Sequence, residues 1–150
     1  MVGSAVVAEP GRPLPEESEK FAELSSWFGW WDRPLGGVVP LRGRPHYFVC
    51  EFSEVLDDYE DFYKVWPVPS AALDLESEWW LKWCEWRSAF DRNESPRPIE
   101  EDPNCGRLEQ ALRGHREPPT TATLLRAEWL LDENRSYAQK APTHRVRWRH

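Results

Sequence analysis

The feature that most constrains how this chain folds is a tryptophan-rich stretch at residues 70–90. Within it, Trp79, Trp83 and Trp86 recur at intervals of four and three residues, which is the spacing of one face of an α-helix. Each buried indole removes about 150–250 Å² of surface from water, so this stripe favours burial. The stretch therefore predicts a long helix that packs this face on another layer, with Trp80 outside the stripe and partly exposed.

Two runs rich in β-forming residues predict a central β-hairpin. Residues 38–41 and 45–52 flank a three-residue turn whose middle residue is Gly43, as in a short hairpin loop. Side chains alternate between the two faces of a strand. Phe48 and Phe52 therefore share one face of the second run, and we expect that face to point into the core.

Five further segments complete the predicted secondary structure. Residues 62–66 and 143–150 have strand composition, and the alternating arginines of the second segment are typical of a charge-protected edge strand. Residues 19–31 and 107–116 carry apolar side chains at helical spacing and predict two short helices. Residues 123–132 alternate as in a strand but contain good helix formers, so strand is favoured while helix stays open.

These elements predict an α+β fold. One antiparallel sheet, made of the central β-hairpin and the C-terminal strands, packs against one long Trp-rich helix. The chain has 150 residues, the usual size of a single domain. Residues 1–18 hold three prolines among glycine, glutamate and serine, a composition that favours a flexible N-terminal tail. We therefore expect a single α+β domain over residues 19–150.

The charge of the chain argues against a generally basic surface that follows nucleic-acid phosphates. There are 26 acidic and 19 basic side chains, for a formal net charge of −7, whereas phosphate-binding surfaces are basic. Three widely spaced cysteines, an odd number without a CxxC pair, suit free thiols in a reducing compartment. With no secretory leader and no run of about 20 apolar residues in view, we expect a cytoplasmic protein without a membrane span.

The sequence lacks the compact motifs of common enzyme and metal sites. It has no GxSxG, GxxxxGKS/T, GxGxxG or HExxH pattern. On a strand, His46 and Cys50 would lie roughly 13 Å apart, too far to bind one metal ion. We therefore expect no metal, no cofactor and no catalytic residue, and a binding protein is favoured over an enzyme.

An acidic run is the main candidate for binding. Five carboxylates lie within residues 54–61, and a basic protein surface would relieve their mutual repulsion and be attracted by them. Tryptophan is enriched among residues that dominate binding energy. Two tryptophans that precede a turn are therefore added to the candidate binding residues. The predicted partner-binding residues are Asp57, Asp58, Tyr59, Glu60, Asp61, Trp30 and Trp31. We predict a non-enzymatic interaction protein, of the inhibitor, immunity-type or accessory-subunit kind, whose partner is a protein with a basic surface.

One alternative is a small enzyme or small-molecule binder. In this interpretation His46 lies with Glu51, Asp57 and Asp58 in a cleft beside the central hairpin. Imidazole and carboxylate groups placed together can exchange protons with a substrate.

A second alternative is a nucleic-acid-associated protein. Arg145, Arg147 and Arg149 form a basic stripe with Trp148 interleaved, and arginines bind phosphate oxygens. Three arginines supply only a few phosphate contacts against a net-negative chain. Protection of a sheet edge is therefore the favoured role for this stripe.

Overall fold

The computed structural model describes residues 5–8, 21–30, 33–94, 96–132, 135, 137 and 142–150. Its strands are β1 (Ala5–Ala8), β2 (Ala22–Glu23), β3 (Ser26–Trp30), β4 (Pro34–Leu41), β5 (Arg44–Val49), β6 (Phe52–Ser53), β7 (Asp58–Tyr59), β8 (Tyr63–Pro67), β9 (Thr123–Asp132) and β10 (His144–Arg149). Its helices are α1 (Ser70–Asp91) and α2 (Pro103–Leu112), with a 3-10 turn at Ile99–Glu101. The fold is thus mixed α+β.

The main sheet is curled. Its strand order is β2-β10-β9-β8-β5-β4-β3, with antiparallel neighbours throughout, and β1 pairs with β9 in parallel. The end strands β2 and β3 are separated in the chain only by Leu24 and Ser25. The Ser25 N–H donates to the Val38 carbonyl at 2.8 Å. This segment therefore reaches from β10 to β4, and the twisted sheet curls until its two ends meet.

The inner face of the curled sheet encloses one apolar core. Its buried members are Leu24, Val39, Phe48, Cys50, Tyr63, Val65, Leu125, Ala127, Trp129 and Val146. The rings of Phe48, Tyr63 and Trp129 lie about 6 Å apart in tilted or edge-to-face pairs, with centroid distances of 5.8–6.0 Å. This geometry is favourable for aromatic pairs.

The outer face of the sheet carries a second core, which α1 and α2 cover. Val38, Tyr47 and Trp66 of the sheet meet side chains of both helices. The helical members are Ala72, Trp79, Trp80, Cys84, Leu108 and Leu112. The sheet around β5 is therefore buried on both faces, which is why Tyr47 and Phe48, neighbours on opposite faces of β5, are both fully buried.

The structure corrects the predicted orientation of α1. Trp80, expected to be partly exposed, is only 5% exposed, because it stacks on Trp83 at 5.4 Å and contacts the Trp27 ring of β3. Trp86 is only partly buried and donates to the Arg97 carbonyl. Two helices, rather than one, cover the sheet.

Residues 22–23 and 26–30, within the predicted first helix, are strands β2 and β3. Pairing with β4 and β10 outweighs the local helical spacing. The Phe52 side chain, expected to point into the core, is instead 51% exposed. The reason is that β5 ends at Val49 and the chain then forms a separate pair of short strands.

Other predicted segments are confirmed. Residues 123–132 form β9, residues 63–67 form β8, and α2 covers part of 107–116 but begins at Pro103. Of the predicted tail, residues 5–8 form β1. The rest of residues 1–18 lies outside the described part of the chain.

Candidate protein-interaction surface

The acidic run forms a short β-hairpin rather than an irregular loop, and we call residues 51–61 the acidic hairpin. Phe52 pairs with Tyr59 and Ser53 with Asp58, in a sheet of their own. The Phe52 and Tyr59 rings meet edge to face at 5.4 Å. The Leu56 N–H donates to the Ser53 hydroxyl at 3.2 Å. The hairpin is therefore ordered by its own hydrogen bonds and aromatic pair.

The tip of the acidic hairpin exposes apolar side chains among carboxylates. Val55 is 96% exposed and Leu56 is 57% exposed, while Glu54, Asp57 and Asp58 beside them are also exposed. A loop that only needs solvation gains nothing from two aliphatic side chains at its outermost point. The sequence interpretation missed this feature, although a Val-Leu pair at the centre of an acidic run was a usable signal.

A buried polar network fixes the base of the acidic hairpin. Arg33 donates to the Tyr63 hydroxyl at 3.1 Å and to the Glu60 carbonyl at 3.4 Å. The Cys50 thiol also donates to the Glu60 carbonyl, at 3.1 Å, and Tyr63 donates to the Pro34 carbonyl at 2.7 Å. These contacts tie both ends of the hairpin to the main sheet. Sequence reasoning missed Arg33 because its partners are distant in the chain.

The same network makes Cys50 a poor nucleophile. Burial raises the pKa of the Cys50 thiol, although the nearby Arg33 guanidinium opposes this shift. A thiol with a raised pKa remains protonated at neutral pH, and the thiolate is the reactive form. Cys50 therefore acts as a hydrogen-bond donor to Glu60.

Trp30 lies at the same end of the curled sheet as the acidic hairpin. It ends β3 opposite Pro34, while Val49 ends β5 and Tyr63 begins β8 at that end. Trp30 is 46% exposed, and its ring meets that of His144 at 5.1 Å. Trp30 and the hairpin can thus contribute to one interface, whereas Trp31 lies outside the described residues.

His144 is a buried histidine beside this surface. Its ring meets the Trp30 and Trp129 rings edge to face, and its Nδ1 lies 3.0 Å from the Thr143 hydroxyl. Burial lowers the pKa of His144 to about 4. The imidazole is therefore neutral in the folded protein at pH 7.

We expect acid to destabilise the fold through His144. In the unfolded chain the imidazole takes up a proton near its ordinary pKa of about 6.5, whereas the folded chain does so only near pH 4. Between these values the unfolded state binds more protons, so stability falls as the pH falls. Urea unfolding at pH 7 and pH 4.5 should show a loss of about 2–3 kcal/mol that a His144→Gln variant lacks. Equal losses in the two proteins would contradict this assignment.

The structure does not bring together the residues of the enzyme alternative. His46 lies opposite Pro67, at the far end of β5 from the acidic hairpin. Glu51 follows His46 by five positions and lies beyond the end of β5 at Val49, where it forms an ion pair with Lys64. Asp57 and Asp58 lie in the hairpin. The structure therefore does not place His46 beside these carboxylates, and catalysis by them stays an untested alternative.

The C-terminal arginines are paired with carboxylates. Arg145 contacts Glu23 at 3.1 Å, while Arg147 and Arg149 both contact Glu128. The predicted edge strand is covered only in part, because β2 pairs with it at Arg145 and Val146. The ion pairs reduce the positive charge that these side chains offer to phosphates. Nucleic-acid binding through them stays an untested alternative.

Among the described residues, no group of three or more His, Cys, Asp and Glu side chains could hold a metal ion. Cys50, Cys84 and Cys105 are all buried, and none of them forms a disulfide. No helix in the described ranges is long and apolar enough to cross a membrane. Comparisons of this chain with protein-family models, with curated proteins and with solved structures find no match.

Proposed function

We propose that this protein binds another protein through the acidic hairpin. The observation that carries the proposal is the exposure of Val55 and Leu56 at the tip, where carboxylates surround them. The partner that fits this chemistry is a protein with an apolar pocket rimmed by lysine and arginine. Val55 and Leu56 enter the pocket, and the carboxylates attract the rim.

The energetics support a docking role for the hairpin tip. Burying an aliphatic side chain of this size contributes about 1.5–3 kcal/mol. The paired strands and the Ser53 hydrogen bond already order the tip, so little conformational entropy is lost on binding. A stable interface needs about 800 Å² from each partner, which is more than one hairpin tip offers. Trp30, at the same end of the sheet, extends the surface and is a suitable anchor.

A binding role of the inhibitor, immunity-type or accessory-subunit kind fits the chemistry near the hairpin better than catalysis. The Cys50 thiol is buried with a raised pKa, and His46 lies at the opposite end of its strand from the carboxylates. Neither residue supplies an activated nucleophile or base to the hairpin surface. Stoichiometric association with a basic protein is therefore the activity that we propose.

The test compares proteins captured by three immobilised forms of the chain from a lysate of the source organism. The tip variant carries Val55→Ser and Leu56→Ser. The control carries Leu81→Ser and Leu124→Ser, which also replace two exposed aliphatic side chains but lie on α1 and β9. We expect one basic protein to be retained by the wild type and the control, and retained at least about tenfold less by the tip variant, a difference of about 1.4 kcal/mol. Equal retention by all three forms, or no retained protein, would refute the proposal.

A further inference from the structure

A cleft of about 440 Å³ opens at the end of the curled sheet opposite the acidic hairpin. It lies where β4 and β8 end and β9 begins, with the last residues of β10 beside it. Its volume falls in the range of small-molecule sites, about 300–1,000 Å³. It shares no lining residue with the acidic hairpin, so it is independent of the protein-binding surface proposed above.

The ionisable side chains that line the cleft are all basic in type. Arg42, His46 and His150 line it, and none of its lining residues is an aspartate or glutamate. This contrasts with a chain that has 26 acidic and 19 basic side chains. A cleft lined by one sign of charge concentrates ligands of the opposite sign. The cleft therefore favours an anion.

The ring of His46 is oriented by the backbone. Its Nδ1 lies 2.8 Å from the Arg44 carbonyl, and because a carbonyl only accepts, Nδ1 must carry the proton. Nε2 is then the ring nitrogen that remains to meet a ligand. An imidazole nitrogen there can form a hydrogen bond with a polar group of the ligand.

The walls of the cleft are aromatic and apolar. Trp66 and Trp148 line it together with Val65 and Leu125. The indole N–H of Trp148 is buried and has no hydrogen-bond partner among the described residues, whereas a buried indole N–H usually has one. A lining that includes two indoles favours a planar ring as the ligand body.

We propose that this cleft binds a small organic anion with an aromatic ring. Arg42 and His46 hold the anionic group, and the ring packs against Trp148. An aromatic carboxylate and a nucleoside monophosphate share this chemistry. Arg42 is the residue that most directly separates an anion site from a merely apolar cleft, because its guanidinium forms paired hydrogen bonds with carboxylate and phosphate oxygens.

The test follows the indole N–H signals in ¹H–¹⁵N correlation spectra of the full chain. Ten tryptophans give ten such signals, and single Trp→Phe variants assign those of Trp66 and Trp148. The anionic probes are indole-3-acetate and AMP, and their neutral counterparts are indole-3-ethanol and adenosine. We expect at least one anion to shift these two signals in a saturable way, with a Kd below about 1 mM. Its neutral counterpart should bind at least about tenfold more weakly.

Two arginine variants make the test specific. Arg42 has a φ of +53°, a left-handed conformation that asparagine tolerates well, so Arg42→Asn should fold normally. The control is Arg44→Gln, in the same turn but outside the cleft lining. Binding of the active anion should weaken about tenfold or more in Arg42→Asn and stay unchanged in Arg44→Gln. The proposal is overturned if neither anion shifts the two signals, if the neutral probes bind equally well, or if Arg42→Asn binds like the wild type.

Discussion

Replacing Glu76 with alanine is expected to lower the free energy of unfolding by about 3–5 kcal/mol. Glu76 is 2% exposed, between α1 and the sheet. Arg116 donates to its two carboxylate oxygens at 2.6 and 2.9 Å, and the Tyr47 hydroxyl donates to one of them at 2.7 Å. Alanine leaves the Arg116 guanidinium, whose side chain is 16% exposed, without this carboxylate, and it leaves the fully buried Tyr47 hydroxyl without its acceptor.

The surroundings of Glu76 leave little room for relaxation. The Arg116 guanidinium lies 4.0 Å from the centre of the Phe28 ring and 4.8 Å from that of Trp79. Burial, together with the hydrogen bond to Glu76, raises the pKa of Tyr47 far above its ordinary value, so its hydroxyl stays a donor. Glu76→Gln, which retains an acceptor for Tyr47 but loses the charge, should therefore cost less than Glu76→Ala.

Urea unfolding of the purified variants measures this effect. The matched control is Glu78→Ala on the same helix, since Glu78 contacts Arg107 at 3.5 Å and both side chains are about half exposed. An exposed pair of this kind contributes about 0–1 kcal/mol. Similar losses for Glu76→Ala and Glu78→Ala would show that the buried network does not stabilise the packing of α1 on the sheet.

The network around Glu76 also shows which part of the fold the sequence alone does not predict. The spacing of the tryptophans predicts the long helix, and alternation predicts β9, because both patterns are local. A glutamate within a charged helical run suggests a solvated side chain, yet Glu76 is buried by Arg116, 40 residues away. Trp80 is buried for a similar reason. The Trp27 ring of β3 packs against it, and it belongs to the core between the helices and the sheet. Local periodicity carries no information about such a neighbour.

In the candidate site, too, local features are predicted from the sequence and long-range contacts are not. Composition alone predicts the acidic run and its exposure. The apolar tip depends on the short pairing of β6 with β7, and the hairpin base depends on Arg33, which is 27 residues before its acceptor Glu60. The cleft at the opposite end gathers residues from Leu41 to His150. No spacing within the sequence could predict that set.

Neutralising the acidic hairpin is expected to slow association with the captured partner by about tenfold or more at low ionic strength, because exposed charges accelerate encounter by about 10–1,000-fold. The variant carries Asp57→Asn, Asp58→Asn, Glu60→Gln and Asp61→Asn. Its fold should be unchanged. Asp57 has a φ of +52° that asparagine tolerates, an asparagine at 58 retains an oxygen to accept from Tyr59 N–H, and Glu60 is anchored through its backbone.

A matched variant separates steering by the hairpin from a change in net charge. It also removes four carboxylates, all exposed and all outside the hairpin, through Asp74→Asn, Glu85→Gln, Glu100→Gln and Glu117→Gln. If the hairpin docks the partner, this variant should associate nearly as fast as the wild type. Only charges within about 8 Å of the interface act strongly at physiological ionic strength.

The association rate constant, measured by stopped flow over a series of salt concentrations, tests the role of the acidic hairpin most directly. The wild type and the matched variant should slow steeply and in parallel as salt rises. The hairpin variant should start about tenfold slower or more and change little with salt. If the hairpin variant instead associates at the wild-type rate at both low and high salt, the acidic hairpin is not the surface that meets the partner.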